Sequence, residues 1–77
     1  MSIKIYGDDW CSDCLVIKKI LDDYNIAYEY IMISKNKEAV KFVEKINNGK
    51  RIIPTIDING KILINPGINK LMKIIKE

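Results

Sequence analysis

Ile3-Lys4-Ile5-Tyr6 alternates apolar with polar or amphipathic side chains and stops at Gly7, so it reads as a short strand. Gly7 to Trp10 is a loop. From Ser12 to about Tyr24 the period changes: Cys14, Ile17, Leu21 and Tyr24 recur at helical spacing, with Ile20 beside them. Asp13 in the first turn and Lys18 and Lys19 further along suit the helix dipole. Ala27 to Ile33, rich in Tyr and Ile, predicts a second strand.

Ser34 and Asn36 are both suited to cap a second helix, whose face carries Ala39, Val40, Val43 and Ile46. Asn47-Asn48-Gly49 supplies the stop, with a left-handed residue at its end. Pro54-Thr55-Ile56-Asp57-Ile58 and Lys61-Ile62-Leu63-Ile64 flank Asn59-Gly60, the strongest short hairpin signal a sequence offers. A last helix begins near Pro66, which suits a first helical turn, and presents Ile68, Leu71, Met72 and Ile75. The order is β-α-β-α-β-β-α. The first two strands and their helix form a βαβ unit, whereas the terminal hairpin is antiparallel. The expected fold is therefore α/β: a four-stranded mixed sheet with three helices.

Seventy-seven residues allow one domain, expected over 1–77, and its core is small enough to be marginal. The balance of 48% hydrophobic and 30% charged residues fits a packed, soluble chain. The net charge of +3 is spread among Asp and Glu without a long basic run, which argues against nucleic acid as partner. Ile, Lys and Asn together supply 36 of the 77 residues, a bias that discounts any single surface lysine as a signal. The N-terminus enters the strand pattern at once, and no stretch reaches membrane-spanning length. The expectation is a cytoplasmic monomer with no membrane partner.

Chemistry concentrates in Trp10-Cys11-Ser12-Asp13-Cys14, where the first strand passes into the first helix. Two cysteines three positions apart close too small a loop to staple a fold. In a βαβ context they read as a redox dithiol. At a helix start, Cys11 meets unpaired N–H groups and the positive end of the dipole, both of which favour the attacking thiolate. Cys14 lies one turn along on the apolar face, which suggests an exposed attacker and a shielded resolver.

C-x-x-C is also half of a zinc site, but no third Cys and no His is present, so a metal would need Asp8, Asp9, Asp13 or a second chain. A cluster bridging two protomers, and two cysteines packed as plain hydrophobes, stay open. No metal ligand is assigned. Asp13, helped by Asp8 and Asp9, disfavours a thiolate at Cys11. The pair is then expected to be reducing, nearer thioredoxin's potential of about −270 mV than DsbA's of about −120 mV. Pro54, opening a strand, suits an edge or strand start. Taken alone, Ile53-Pro54 would be trans, since only about one X-Pro bond in twenty is cis in folded proteins.

The element order, the dithiol and Ile52-Ile53-Pro54 together resemble the glutaredoxin family of the thioredoxin superfamily over essentially the whole chain. With Asn48-Gly49-Lys50-Arg51 and Asn65-Pro66, the likeness is nearest to the bacterial glutaredoxin-like group that includes the mycoredoxins. The resemblance implies the thioredoxin fold and thiol–disulfide oxidoreductase activity on protein or small mixed disulfides. It also implies a cis Pro54 packed against the dithiol, with the Ile53 backbone pairing with the bound thiol or peptide.

The same resemblance implies a small-thiol co-substrate, with glutathione, bacillithiol, mycothiol and coenzyme A all open. Trp10, Lys50, Arg51, Ile53, Pro54 and Gly67 become candidate binding residues. Lys50 and Arg51 match positions where the family often has a basic residue near the ligand carboxylate, and a solvated loop is the plainer account of them. The chain departs from many members in having Ser12-Asp13 between the cysteines. It also has Asp8-Asp9 where a lysine is usual, and lacks a Gly-Gly pair with acids before the last helix. A thioredoxin-like donor served by thioredoxin reductase, or an iron–sulfur or zinc carrier, are the alternative expectations.

Overall fold

The computed structural model describes residues 2–76. Its elements are β1 (Ile3–Gly7), α1 (Ser12–Asp23), β2 (Glu29–Met32), a 3-10 turn (Ile33–Lys35), α2 (Lys37–Ile46), β3 (Thr55–Ile58), β4 (Lys61–Ile64) and α3 (Ile68–Lys76). The sheet order is β2-β1-β3-β4. β1 runs parallel to β2, with Tyr6 opposite Ile31, and antiparallel to β3, with Ile5 opposite Ile56. β3 and β4 form the hairpin read from Asn59-Gly60, and both turn residues take positive φ (52° and 92°). That is the type I′ geometry that the Asn-Gly pair accommodates with little strain.

Strand alternation sends side chains to two cores. Ile3, Ile5, Ile56, Ile58 and Leu63 meet Ile17 and Leu21 of α1 and Leu71 and Ile75 of α3 on one face. Tyr6 turns to the other face and packs with Ile33, Ala39 and Val43, joined by Phe42 and Ile53. The central strand β1 is thus covered on both sides. Full burial of a side chain such as Leu21 contributes about 1.5–3 kcal/mol.

The expected fold is present, with small differences at its boundaries. β2 is shorter than 27–33 because Ile33 leaves the strand to sit beneath α2, as first residue of the 3-10 turn. Asn36, in extended conformation, caps α2 by accepting the Ala39 N–H at 3.0 Å, so Ser34 is free for another partner. Tyr24 is not on the buried face of α1. It follows the helix, 59% exposed, with Lys76 Nζ 5.6 Å from its ring centroid. Pro66 is buried just outside α3, whose first helical bond runs from Leu71 N–H to the Gly67 carbonyl. Among the described residues, no helix is long and apolar enough to cross a membrane.

Candidate active site

The end of β1 delivers the chain to the start of α1 through Asp8, Asp9 and Trp10. Cys11 has extended backbone angles and is the N-cap of α1. Its sulfur accepts the Cys14 backbone N–H at 3.2 Å. One of the unpaired donors of the helix start is therefore aimed at the atom whose ionisation the chemistry needs. Cys11 and Cys14 are joined as a disulfide, with Cα atoms 5.3 Å apart.

Cys14 is fully buried, as its place on the apolar face suggested. Cys11 is more covered than an exposed attacker would be, at 7% exposure, because its sulfur is turned inward to Cys14. What access it has is through a cavity of about 320 Å³ lined by Trp10, Cys11, Ser12, Asp13, Arg51 and the Ile52-Ile53 segment.

Of the candidate residues, the structure brings Trp10, Cys11, Arg51 and Ile53 to this opening. Ile53-Pro54 is cis, in agreement with the family resemblance. Pro54 is buried at the foot of β3, and its carbonyl accepts the Asn65 N–H at 2.7 Å. Thr55 is buried and donates its hydroxyl to the Ile52 carbonyl at 2.7 Å, so the segment before Pro54 is held from within. Trp10 is 75% exposed beside the dithiol and is available to a docking partner, not packed on the first strand. Arg51 borders the cavity, with Nε bonded to Glu44 Oε2 at 3.0 Å. Lys50 is exposed and does not line this opening. Gly67 lies apart, in a second cavity of about 370 Å³ shared with Asp13, Val16 and Pro66.

Sequence reasoning missed the support behind the dithiol. A Cβ built on Gly7 would stand 2.7 Å from the Tyr30 hydroxyl oxygen and 2.8 Å from Cys14 Sγ. Only glycine lets β1 pass between them. Asp8 is 5% exposed; its carboxylate accepts the Asp9 N–H at 2.8 Å and the Ser34 hydroxyl at 3.1 Å. Its carbonyl accepts the Tyr30 hydroxyl at 3.0 Å and the Cys11 N–H at 3.3 Å. Asp8 thus ties the loop before Cys11 to β2 and to the 3-10 turn.

Burial pushes the Tyr30 phenol above its ordinary 10.0, and the negative charges of Asp8 and Asp9 push the same way. The only early signs of this arrangement were the unusual Asp8-Asp9 pair and the second possible cap at Ser34. Among the described residues, no three Cys, His, Asp or Glu side chains gather as a metal site.

A dithiol–disulfide pair whose first sulfur caps a helix, beside a cis-proline on this sheet, defines a thiol–disulfide oxidoreductase of the thioredoxin fold. The glutaredoxin family model matches residues 3–63, and the chain belongs to that family. A Mycobacterium tuberculosis protein provisionally named as a glutaredoxin is 37% identical over 78 residues, covering 95% of this chain and 93% of that one. Mycoredoxin 1 of Corynebacterium glutamicum is 36% identical over 55 residues, covering 71% of this chain and 67% of that one. Among solved structures, a mutant of the thioredoxin-like protein BC3987 superimposes with a TM-score of 0.85 at 26% identity, covering 96% of this chain and 94% of that one.

Proposed function

We propose that Cys11 is the nucleophile and Cys14 the resolving thiol in the reduction of mixed disulfides between proteins and a small thiol. The observation that carries this reading is the Cys14 N–H donated to Cys11 Sγ at the N-terminus of α1. A hydrogen bond and the helix dipole both stabilise negative charge on that sulfur.

In the dithiol form the Cys11 thiolate attacks one sulfur of the substrate disulfide. A Cys11–substrate disulfide forms, the substrate S–S bond breaks, and the departing thiolate takes a proton. Cys14 then loses its proton and attacks Cys11 Sγ, releasing the second thiol and leaving the Cys11–Cys14 disulfide. Two equivalents of a small thiol, or a reductase, return the pair to the dithiol.

In this reading the cavity over Cys11 receives the group bound to the sulfur. Ile52 and Ile53, held in place ahead of the buried cis Pro54, form one wall, Trp10 offers an exposed surface to the protein partner, and Arg51 faces a ligand carboxylate. Gly67 and Lys50 serve at the periphery. The domain spans residues 1–77 and acts in the cytoplasm as a monomer, in thiol-based electron transfer.

A side-by-side reduction assay with glutathione, bacillithiol, mycothiol, coenzyme A and thioredoxin reductase with NADPH tests the assignment. Cys11→Ser is expected to abolish turnover with every reductant. Cys14→Ser is expected to accumulate a substrate adduct at position 11, visible by intact-mass spectrometry. Full activity in Cys11→Ser would overturn the assignment, and turnover with thioredoxin reductase alone would replace the small thiol with a reductase.

A further inference from the structure

Beside the dithiol, and not part of it, lies a cavity of about 490 Å³ between the 3-10 turn and α2. Lys35, Lys37 and Lys41 all line it. The chain is rich in lysine, so their number carries no weight, but their convergence on one concavity does. The ion pairs among the described residues are Lys19–Asp23 and Arg51–Glu44, and neither involves these three. Glu44, the carboxylate on this rim, is already engaged by Arg51 Nε. Three like charges around one hollow repel each other and raise the local potential for an anion.

Arg51 lines this cavity and also the one over Cys11, so a single side chain borders both spaces. Its bond to Glu44 uses one of five guanidinium donors, and 63% of its side chain stays exposed. A ligand tethered by sulfur at Cys11 therefore meets Arg51 first and the three lysines beyond it. Arg51 alone is enough for a single carboxylate; the lysines add capacity for more.

We infer that the lysine cavity is a second anion subsite for the far end of the small thiol. The co-substrate is then a thiol carrying two or more negative charges, as a dicarboxylate or as phosphates. This rests on the small-thiol reading given above. Bacillithiol, whose malate places two carboxylates at one end, and coenzyme A, with its phosphates, have that chemistry. The uncharged sugar tail of mycothiol does not. Glutathione carries its two carboxylates at opposite ends, so only one reaches the hollow and its loss in the test below is smaller.

The test is the kcat/KM of the full chain on mixed disulfides of one cysteine peptide with each of coenzyme A, bacillithiol, glutathione and mycothiol. It is run on the native protein and on the double variant Lys35→Gln/Lys37→Gln, whose substituted positions are both exposed. The expected result is a fall of about three- to tenfold in the ratio of the coenzyme A or bacillithiol value to the mycothiol value. The fall should lie in KM and fade at about 1 M salt, where screening acts within roughly 3 Å.

A fall confined to coenzyme A assigns the subsite to phosphate, and one confined to bacillithiol assigns it to the dicarboxylate. An unchanged ratio for both overturns the subsite while leaving the small-thiol reading in place. If the native protein reduces a peptide–peptide disulfide but none of the four mixed disulfides, the small-thiol reading falls and takes the subsite with it.

Discussion

At the scale of single residues, the positions that shape the site are decided by contacts that a one-dimensional pattern does not carry. Gly7 reads in the sequence as a strand end. In the fold it is the gap through which β1 passes between the Tyr30 hydroxyl and Cys14 Sγ. Gly7→Ala forces a methyl group into that gap. We expect it to lower stability by about 1–3 kcal/mol, measured as a shift of the urea midpoint.

Asp13 lines the opening over Cys11, and a carboxylate two positions from that sulfur acts on it by charge at short range. Asp13→Asn is expected to lower the Cys11 pKa and raise the reduction potential, read from a thiolate absorbance titration and from equilibrium with a redox buffer. No movement in either quantity would remove Asp13 from the account. Asp8, flagged only as an acid near the dithiol, proves to be a buried tie, because its partners Tyr30 and Ser34 come from 22 and 26 positions away.

The elements themselves were largely legible. Asn59-Gly60 fixes a hairpin because the turn needs two residues at positive φ, and the helices announce themselves by period and punctuation. Where two caps competed, the sequence left the choice open. Asn36 won because Ser34 is drawn to Asp8 across the sheet end, a contact that only tertiary structure creates. Asn36→Ala removes the acceptor for the Ala39 N–H and is expected to cost about 1 kcal/mol, with Ser34→Ala leaving α2 capped. Helix content by circular dichroism and the denaturation midpoint check both. The alternation of β1 sends Ile3 and Ile5 to one core and Tyr6 to the other. The early end of β2 was not visible, since Ile33 is as β-prone as the residues before it.

For the whole molecule, the two-sided core leaves several phenols partly desolvated. Tyr6, Tyr28 and Tyr30 all titrate above their ordinary 10.0, chiefly through burial. Tyr28 is also raised by the bond its hydroxyl donates to Asp22 at 2.9 Å. The folded chain thus holds these protons more tightly than the unfolded chain does. Their contribution is fully present below about pH 10 and is lost as pH rises through the higher folded values. Urea midpoints are expected to fall steeply above that pH, and Tyr30→Phe is expected to make the fall shallower. A flat profile to about pH 11 would contradict this. The convergence of the three lysines also belongs to this scale. They come from the 3-10 turn and from α2, and Arg51, distant in sequence, joins them in lining the hollow.

Because the Cys11 sulfur is itself the cap of α1, the amide of Cys14 senses the electron density on that sulfur in each of its redox states. Its nitrogen-15 and proton chemical shifts should therefore track the reaction directly. The largest downfield displacement is expected when the sulfur is an anion, an intermediate one in the intramolecular bridge, and a further value when a foreign group is attached. One resonance in a spectrum of the native chain would then report which chemical state the enzyme occupies, with no probe added.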